Sequence, residues 1–390
     1  MKKAYILASY RTPGCRANKG KFKDVRPDDL AAIAIKGLVE RTEIDPMTVS
    51  DVILGCSFPE AEQGMNVGRI AAMKAGLPVE VPGLTVNRFC SSGLNSIAIA
   101  AERVMAGFAD CIIAGGVESM SSVPMGGLKY AANPGMMVDW PEAFASMGTT
   151  AELVAEKYGI TREMMDTFAA ASNAKAAAAI KEGRFADEII PVEIEKTALV
   201  GNKIKRETEI VTIDDGVRPE TTVESLARLR SVFKVGGPVT AGNSSQMTDG
   251  AAATMVVSEE YLKATGKDPF GRFVSFSVNG VPPEYMGIGP IAAIPEALRL
   301  GGLSLADIDL IELNEAFAAQ ALAVMQELKI NPNIVNVNGG AIALGHPLGC
   351  TGSKLTATLL HEMGRRKAKY GMVSMCIGGG MGAAGIFEKL

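Results

Sequence analysis

The sequence predicts an α/β protein built from two similar halves. Short apolar runs alternate with alanine-rich helical stretches, a pattern that favours crossover units and a mostly parallel sheet. One order of elements also occurs twice, because a helix, an acidic turn and an apolar strand lie within residues 30–55 and again within 290–313. In each copy a cysteine and a second helix follow, Cys90 in the first and Cys350 in the second, and each copy ends in a strand closed by glycines. The repeat therefore predicts a duplicated fold.

Composition excludes several functions. The net charge of −4 gives no reason to expect a nucleic acid partner, and 47% hydrophobic residues supply a large core. No apolar stretch reaches the length of a membrane span, so we expect no membrane association. The six cysteines occur singly beside only two histidines, which predicts neither a metal site nor a disulfide framework. A reducing cytoplasm is the expected location.

The first half is predicted to span residues 1–120 and 248–270. It opens with the apolar run Ala4–Ala8, which we interpret as a buried strand and not a signal peptide, because the run is short and Arg11 follows. Cys90 lies between a short apolar run and an alanine-rich helix. Because the first N–H groups of a helix carry partial positive charge, a thiol there is expected to ionise easily and act as a nucleophile. A small buried cysteine without chemistry is the alternative.

The middle of the chain has a different composition. Residues 121–247 contain clusters of Pro, Gly and Met together with a strongly helical piece. We interpret this segment as an insertion from the first half that covers a site. The second half is then predicted to span residues 271–390.

Three segments of the second half carry candidate chemistry. His346 lies between Gly345 and Pro347, which places the imidazole on a loop where it can transfer a proton, with structural capping as the alternative. The other histidine, His361, lies in a helix and is expected at the surface. Asn314 follows an apolar strand, where it can hold a water or contact an oxyanion, or simply cap the next helix.

Cys376 ends an apolar strand and is followed by glycines, whose backbone can approach a ligand closely. Residues 380–385 fit the dinucleotide pattern G-x-G-x-x-G, but the helix that this pattern requires has no room before Leu390, so we reject nucleotide binding there. Two thiols and an imidazole on such loops suit acyl transfer. One thiolate attacks a carbonyl, the histidine activates it, and the second thiol moves a proton.

Four motifs occur in order along the chain: VNRFCSSGL at residues 86–94, NEAFA at 314–318, GGAIALGHP at 339–347 and CIGGGMG at 376–382. In this combination the sequence resembles the thiolase family, the acyl-CoA acyltransferases, nearly from end to end. The resemblance implies a thiolase-like duplicated five-layer α-β-α-β-α fold with an inserted loop domain over the coenzyme A site. It also implies a nucleophilic role for Cys90.

The resemblance implies a role for each candidate residue. Cys90 would take the acyl group from a 3-ketoacyl-CoA, His346 would activate it, and Cys376 would act as acid and base. Asn314, through a water, and the backbone N–H of Gly378 would contribute to the two oxyanion holes. By the same resemblance, the residues that would contact substrate or CoA are Arg218, Ala241, Ser245, Met147, Phe233, Met286 and Phe317.

The resemblance also bears on substrate and assembly. Members that make acetoacetyl-CoA often have His before Met-Gly in the loop domain, whereas Ser146 precedes Met147 here. We therefore predict a 3-ketoacyl-CoA thiolase of the fatty-acid β-oxidation type, with an acetoacetyl-CoA thiolase as the alternative. CoA and acyl-CoA are expected as substrates, with no cofactor beyond them and no metal. A homotetramer or homodimer is expected.

Two hypotheses from other classes stay open at this point. A decarboxylating condensing enzyme shares the duplicated fold by family knowledge. It would use two histidines with its cysteine, whereas this chain has Cys376 at the second acid/base position. A catalytically silent scaffold would tolerate loss of the nucleophile, whereas all four motifs are intact.

Overall fold

The computed structural model describes residues 2–200 and 203–390. The strands are β1 (Ala4–Arg11), β2 (Cys15–Arg16), β3 (Asp51–Gly55), β4 (Gly83–Val86), β5 (Cys111–Ser119), β6 (Val192–Val200), β7 (Lys203–Val211), β8 (Thr248–Ser258), β9 (Gly271–Gly280), β10 (Leu310–Leu313), β11 (Tyr370–Ile377) and β12 (Met381–Glu388). The α-helices are α1 (Pro27–Thr42), α2 (Val67–Lys74), α3 (Ser92–Met105), α4 (Pro134–Asp139), α5 (Met147–Tyr158), α6 (Arg162–Lys181), α7 (Val223–Ala227), α8 (Glu259–Thr265), α9 (Gly289–Gly301), α10 (Ala318–Leu328), α11 (Ala341–Leu344) and α12 (Leu348–Arg366).

The two halves repeat one strand order. β3-β5-β8-β1 in the first half corresponds to β10-β11-β12-β9 in the second, and the halves join where β1 pairs with β9. In both copies the first pair is parallel and the next two are antiparallel. The duplication is therefore confirmed, but the prediction of a mostly parallel sheet is wrong. β11 and β12 are joined by a glycine turn, which forces them antiparallel.

Apolar side chains define five layers. Helix α1 packs on the first-half strands through residues such as Leu30 and Leu38. Helices α3 and α12 share one apolar cluster with strands of both halves. Helix α9 packs on the outer face of the second-half strands through Ile294 and Leu298. The order helix, sheet, helix, sheet, helix agrees with the predicted five-layer fold, and it buries helices between sheets.

The two central helices approach each other closely at their N-terminal ends. A Cβ on Gly93 of α3 would lie 2.8 Å from the backbone N of Ser353, and one on Gly352 of α12 would overlap Leu94. Glycine at these two positions is what permits the contact. Because Cys90 precedes α3 and His346 precedes α12, the crossing brings the two candidate catalytic residues to the same region.

Residues 121–247 include the separate hairpin β6-β7 and the helices α4 to α7. Helix α5 packs against Met286 and Phe317 of the second half in one cluster that also contains Cys376. A buried ion-pair group links this segment to β1. Arg11 donates from Nε to Glu188 at 2.6 Å and from Nη1 to Asp214 at 2.7 Å. These ion pairs fix the segment to the end of β1.

Within residues 2–200 and 203–390, no helix combines the length and apolar character needed to cross a membrane. The stretch that imitates the dinucleotide pattern forms strand β12, which pairs along its length with β11 and β9.

Candidate active site

One cavity of about 630 Å³ contains all three candidate catalytic side chains, Cys90, His346 and Cys376. Its walls come from both halves and from the inserted segment. The seven residues that the resemblance implied for CoA or substrate contact all line it: Arg218, Ala241, Ser245, Met147, Phe233, Met286 and Phe317. The structure thus brings together residues that lie more than 200 positions apart in the chain.

Cys90 lies in a 3-10 turn, Phe89–Ser91, at the entry to α3. Phe89 adopts a positive φ of 43°, a conformation that is unusual for a bulky side chain and that turns the chain sharply just before the cysteine. Burial raises the pKa of the Cys90 thiol to about 12, although N–H groups of Gly378 and Cys90 itself oppose that rise. The expectation of a readily ionised thiol is therefore wrong for the free protein, because burial outweighs the helix terminus.

His346 is neutral and oriented by a threonine. Burial, together with repulsion from Lys354, lowers the pKa of His346 to about 3. Its Nδ1 lies 2.6 Å from Thr351 Oγ1, and that hydroxyl donates to the carbonyl of Pro347 at 3.0 Å. Because the hydroxyl proton is used there, Nδ1 carries the ring proton and donates to Thr351. Nε2 is left as the basic nitrogen.

The contacts of His346 exclude the alternative that its side chain caps a helix. The N-cap position of α12 is Pro347, and no side-chain cap bond is made there. The imidazole therefore does not cap the helix. Thr351 itself was missed by the sequence analysis, because only the three-dimensional path of residues 346–351 shows that the two side chains meet.

Asn314 directly follows β10 and contacts the imidazole. Its Nδ2 lies 3.3 Å from His346 Nε2, and its Oδ1 is buried without a hydrogen-bond partner. The N-cap of α10 is Phe317, so the helix-cap alternative for Asn314 is wrong. A water bound between Asn314 Oδ1 and His346 Nε2 would give this buried oxygen a hydrogen-bond partner.

Glu315 holds the Asn314 loop in place. Its carboxylate accepts hydrogen bonds from Ser172 Oγ at 2.7 Å, Asn336 Nδ2 at 2.8 Å and the N–H of Ile342 at 3.2 Å. These donors lie on α6, on the segment between α10 and α11, and on α11. Burial raises the pKa of Glu315, while the three donors oppose that rise.

Cys376 is the penultimate residue of β11 and is completely buried. Burial, and the proximity of Cys90, raise the pKa of its thiol. Gly378 follows in the turn to β12, where a Cβ would lie 3.6 Å from the Phe89 ring. The Gly378 N–H is directed at the Cys90 sulfur. The Cys376 thiol therefore lies near Cys90, and the backbone N–H groups of Gly378 and Cys90 both approach the Cys90 sulfur.

Further residues line the cavity that the sequence analysis did not assign. They are Arg16, Ala17, Lys19, Met120, Met125, Gly148, Val232, Ser244, Gln246, Met247, Ala316 and Leu348, together with Ser146. Several come from the loop after β1 and the end of β5, which carry no motif. Only their neighbours in the fold reveal them.

His361 is partly buried, whereas an exposed surface position was expected. Its ring packs 5.7 Å from Tyr10 and 5.1 Å from Phe270, and its Nε2 lies 3.1 Å from the carbonyl of Ser9. It takes no part in the cavity. In the part of the chain that is described, no group of three or more His, Cys, Asp or Glu side chains is arranged to hold a metal ion.

Comparisons with known proteins agree with this geometry. The sequence model "Thiolase, N-terminal domain" matches residues 4–260, and "Thiolase, C-terminal domain" matches residues 267–389. A 3-ketoacyl-CoA thiolase of Bacillus subtilis is 55% identical over 389 residues, covering 100% of both chains. The peroxisomal 3-ketoacyl-CoA thiolase 5 of Arabidopsis thaliana is 48% identical, covering 98% of this chain and 85% of that protein.

Two solved structures share the whole fold. Acetyl-CoA acetyltransferase of Bacillus anthracis superposes with a TM-score of 0.91 and 40% identity, covering 100% of this chain and 99% of that one. Human mitochondrial 3-ketoacyl-CoA thiolase superposes with a TM-score of 0.90 and 39% identity at the same coverage. From these matches and the four motifs around one cavity, the chain belongs to the thiolase family.

Proposed function

We propose that this chain catalyses the thiolytic cleavage of 3-ketoacyl-CoA by CoA, as in fatty-acid β-oxidation, giving acetyl-CoA and a shortened acyl-CoA. The observation that carries the proposal is the presence of Cys90, His346 and Cys376 in one cavity whose walls also hold the seven residues implied for CoA or substrate contact. The full-length identity of 55% to a named 3-ketoacyl-CoA thiolase supports the same substrate class.

The first half of the reaction starts from a neutral pair. The Cys90 thiol gives its proton to His346 Nε2 while Sγ attacks the C3 carbonyl of the substrate. Because both groups are neutral beforehand, no thiolate has to persist in the apolar cavity. The oxyanion at C3 accepts hydrogen bonds from the N–H groups of Cys90 and Gly378.

Collapse of this intermediate breaks the C2–C3 bond. The electron pair moves to C2, which takes a proton from the Cys376 thiol, and acetyl-CoA leaves. The enolate oxygen at C1 is stabilised by protonated His346 and by a water held by Asn314 Oδ1. At this point Cys90 carries the acyl group as a thioester, His346 is protonated and Cys376 is a thiolate.

The second half regenerates the enzyme. An incoming CoA thiol gives its proton to the Cys376 thiolate, and the CoA sulfur attacks the thioester. The Cys90 sulfur leaves and recovers its proton from His346. Every proton returns to its starting group, so the cycle needs no cofactor beyond CoA.

The organisation of the chain forms part of the proposal. We propose that residues 1–120 and 248–270 form the N-terminal half, that 121–247 form a loop domain over the CoA site, and that 271–390 form the C-terminal half. A homotetramer or homodimer in the cytoplasm is proposed as well. All six cysteines lie in the described residues, and none forms a disulfide, which suits a reducing compartment.

An acetoacetyl-CoA thiolase is the second candidate, favoured by the superposition on an acetyl-CoA acetyltransferase. The two candidates differ in the acyl chain that they accept. Ser146, which lines the cavity, is smaller than the histidine expected of that branch and leaves more room near Met147.

Thiolysis rates measured with a series of 3-ketoacyl-CoA substrates, from four carbons upward, test the proposal. We expect kcat/KM to be maintained or to rise beyond four carbons, because added methylenes gain about 0.8 kcal/mol each when buried. A sharp preference for the four-carbon substrate would establish the second candidate instead. Absence of thiolysis at every chain length would refute both.

A further inference from the structure

Glu118, near the end of β5, gathers hydrogen-bond donors from two separate segments behind the active site. It is 1% exposed and does not line the cavity. Its Oε2 accepts from the N–H of Ser57 and from the N–H of Gly349, each at 2.8 Å. Its Oε1 accepts from Gln63 Nε2 at 2.6 Å and from the N–H of Phe58 at 3.3 Å. The carboxylate thus joins the loop after β3 to the start of α12.

The surroundings of Glu118 suit an ionised carboxylate. Burial raises the pKa of Glu118, whereas the N–H groups of Ser57 and Gly349 oppose that rise. A protonated carboxyl would need an acceptor for its own hydrogen, but the four nitrogen groups around it all donate. The N-terminal end of α12 also carries partial positive charge, which favours an anion beside it.

On the α12 side, Glu118 fixes the stretch of chain that carries His346. A Cβ on Gly349 would lie only 2.7 Å from Glu118 Oε2 and 2.7 Å from the backbone N of Ser57, so glycine permits this close contact. His346 lies three positions before Gly349, and Thr351, the partner of the imidazole, lies two positions after it. The hydrogen bond to Glu118 therefore falls between the histidine and the residue that orients it.

On the other side, a chain of hydrogen bonds leads from Glu118 to Cys90. Ser57 donates its N–H to Glu118, and its carbonyl accepts from Asn87 Nδ2 at 2.9 Å. Asn87 Oδ1 in turn accepts from the N–H of Phe89 at 2.9 Å. Phe89 directly precedes Cys90 and has the positive φ of 43°. A residue keeps such a conformation only where its surroundings hold it, so this chain helps to set the position of the cysteine.

We propose that Glu118 is a positioning residue that holds Cys90 and His346 in place for proton transfer between them. The proposal rests on the proposed function and deepens it, because transfer from Sγ to Nε2 requires the two groups at hydrogen-bond distance. The two residues enter the cavity from different halves of the chain, before α3 and before α12. Glu118 is one side chain whose hydrogen bonds lead to both.

Glu118→Gln tests this role with almost no change in shape. One of the two oxygens becomes an NH2 group, which can accept from neither of the donors that it then faces. We expect the single-turnover acylation of Cys90 and kcat for thiolysis to fall by about 10- to 100-fold, because a small misplacement of reacting groups costs that much. The Kd for CoA, measured by calorimetry, should stay close to that of wild type, since Glu118 does not touch the cavity.

Glu362→Gln is the matched control. Glu362 is 3% exposed and accepts from several donors, but it lies near the C-terminal end of α12, away from His346. Both substitutions remove an accepting oxygen from a buried carboxylate, so both should lower the midpoint of urea unfolding. Only Glu118→Gln should slow acylation. A wild-type acylation rate in Glu118→Gln, or an equal loss in Glu362→Gln, would refute the positioning role.

Asn87→Ala tests the path to Cys90 even if Glu118→Gln does not fold. Asn87 is exposed, so its replacement interrupts the path and leaves the buried carboxylate intact. Slower acylation in Asn87→Ala supports the path, and an unchanged rate overturns it. Where both variants fold, the loss in the double variant should be less than the sum of the single losses, because both interrupt one path. Full additivity would contradict a shared path.

Hydrogen exchange measured by mass spectrometry needs no turnover, so it separates this proposal from the proposed reaction. Glu118→Gln should speed exchange in the peptides that contain Cys90 and His346, relative to wild type and Glu362→Gln. Faster exchange at both, in a protein that turns over no 3-ketoacyl-CoA, would support the positioning role and refute the reaction. Unchanged exchange with wild-type thiolysis would refute the positioning role and leave the reaction standing. Faster exchange at only one peptide would overturn the claim that Glu118 holds both residues.

Discussion

Thr351→Val tests how His346 is made a base. The structure gives the Thr351 hydroxyl two roles, as acceptor from His346 Nδ1 at 2.6 Å and as donor to the Pro347 carbonyl at 3.0 Å. Valine has nearly the same shape and lacks both functions. The variant leaves a buried Nδ1–H without an acceptor and favours the other tautomer, in which Nε2 carries the proton and cannot accept one from Cys90.

The size of the effect follows from the burial of the pair. His346 is 5% exposed and Thr351 is 1% exposed, so water cannot replace the lost partner. An unsatisfied buried polar group costs about 1–3 kcal/mol. If that cost falls on the active tautomer, the acylation rate drops by about 5- to 150-fold.

The assay is single-turnover acylation of Cys90, followed by quenched-flow mass spectrometry. The matched control is Thr356→Val on the same helix, because the Thr356 hydroxyl is buried and donates only to the Gly352 carbonyl at 2.8 Å. Both variants lose a buried hydroxyl, but only Thr351→Val should lose acylation. Wild-type acylation in Thr351→Val, or an equal loss in Thr356→Val, would refute the tautomer argument.

Three further predictions follow from the same geometry. Cys376→Ser should slow exchange of the acetyl-CoA C2 protons more than acylation of Cys90 by acetyl-CoA, in which no C2 proton moves, and equal losses in both assays would indicate a structural role. The pKa of His346 is lowered to about 3 and that of Cys90 is raised to about 12, so both groups stay neutral between about pH 5 and pH 9. The acylation rate should therefore not change with pH in this range, and a change in rate centred near pH 6.5 would contradict this. Asp214→Asn should cost about 3–5 kcal/mol in urea unfolding, because it leaves the buried Arg11 with Glu188 alone. Burial alone would raise the pKa of the Asp214 carboxyl, but the Arg11 charge outweighs burial, so the pKa is lowered overall. The stabilisation from this ion pair is therefore present above about pH 4, and the difference in stability between wild type and variant should shrink in acid as Asp214 protonates.

The duplicated fold could be predicted from sequence because each half repeats the same order of helices and strands. Strand direction could not be predicted in the same way. The glycines at 378–380 were interpreted only as a ligand-binding loop, whereas they also form the turn between β11 and β12. A tight turn makes the two strands antiparallel, and nothing in the apolar pattern of either strand distinguishes the two directions.

The four motifs led us to expect Cys90, His346 and Cys376 together, and they do share one cavity, but the electrostatic state of Cys90 could not be predicted. Cys90 lies at a helix start in the sequence, and from that position an ionised thiol was expected. Its burial depends on α12, which lies about 260 residues away along the chain. For the same reason the packing of His361 against Tyr10 and Phe270 was not visible in its own helix.

Arg16 and Lys19 illustrate what a motif search misses. The loop after β1 carries no chemical pattern, and the segment near residue 215 that fixes it lies about 200 positions away. Hydrogen bonds from this loop to Asp215, to the Met247 carbonyl and to Ser121 place it beside the cavity.

The central claim is that Cys90 carries the acyl group, and covalent trapping measures this directly. Wild-type protein is mixed with a 3-ketoacyl-CoA in the absence of free CoA, quenched and digested, with Cys111→Ala as the control for loss of a buried cysteine elsewhere. We expect the mass of the shortened acyl group on the peptide that contains Cys90, in wild type and in the control, and none in Cys90→Ala. Acylation of a different cysteine, or turnover by Cys90→Ala, would contradict the account.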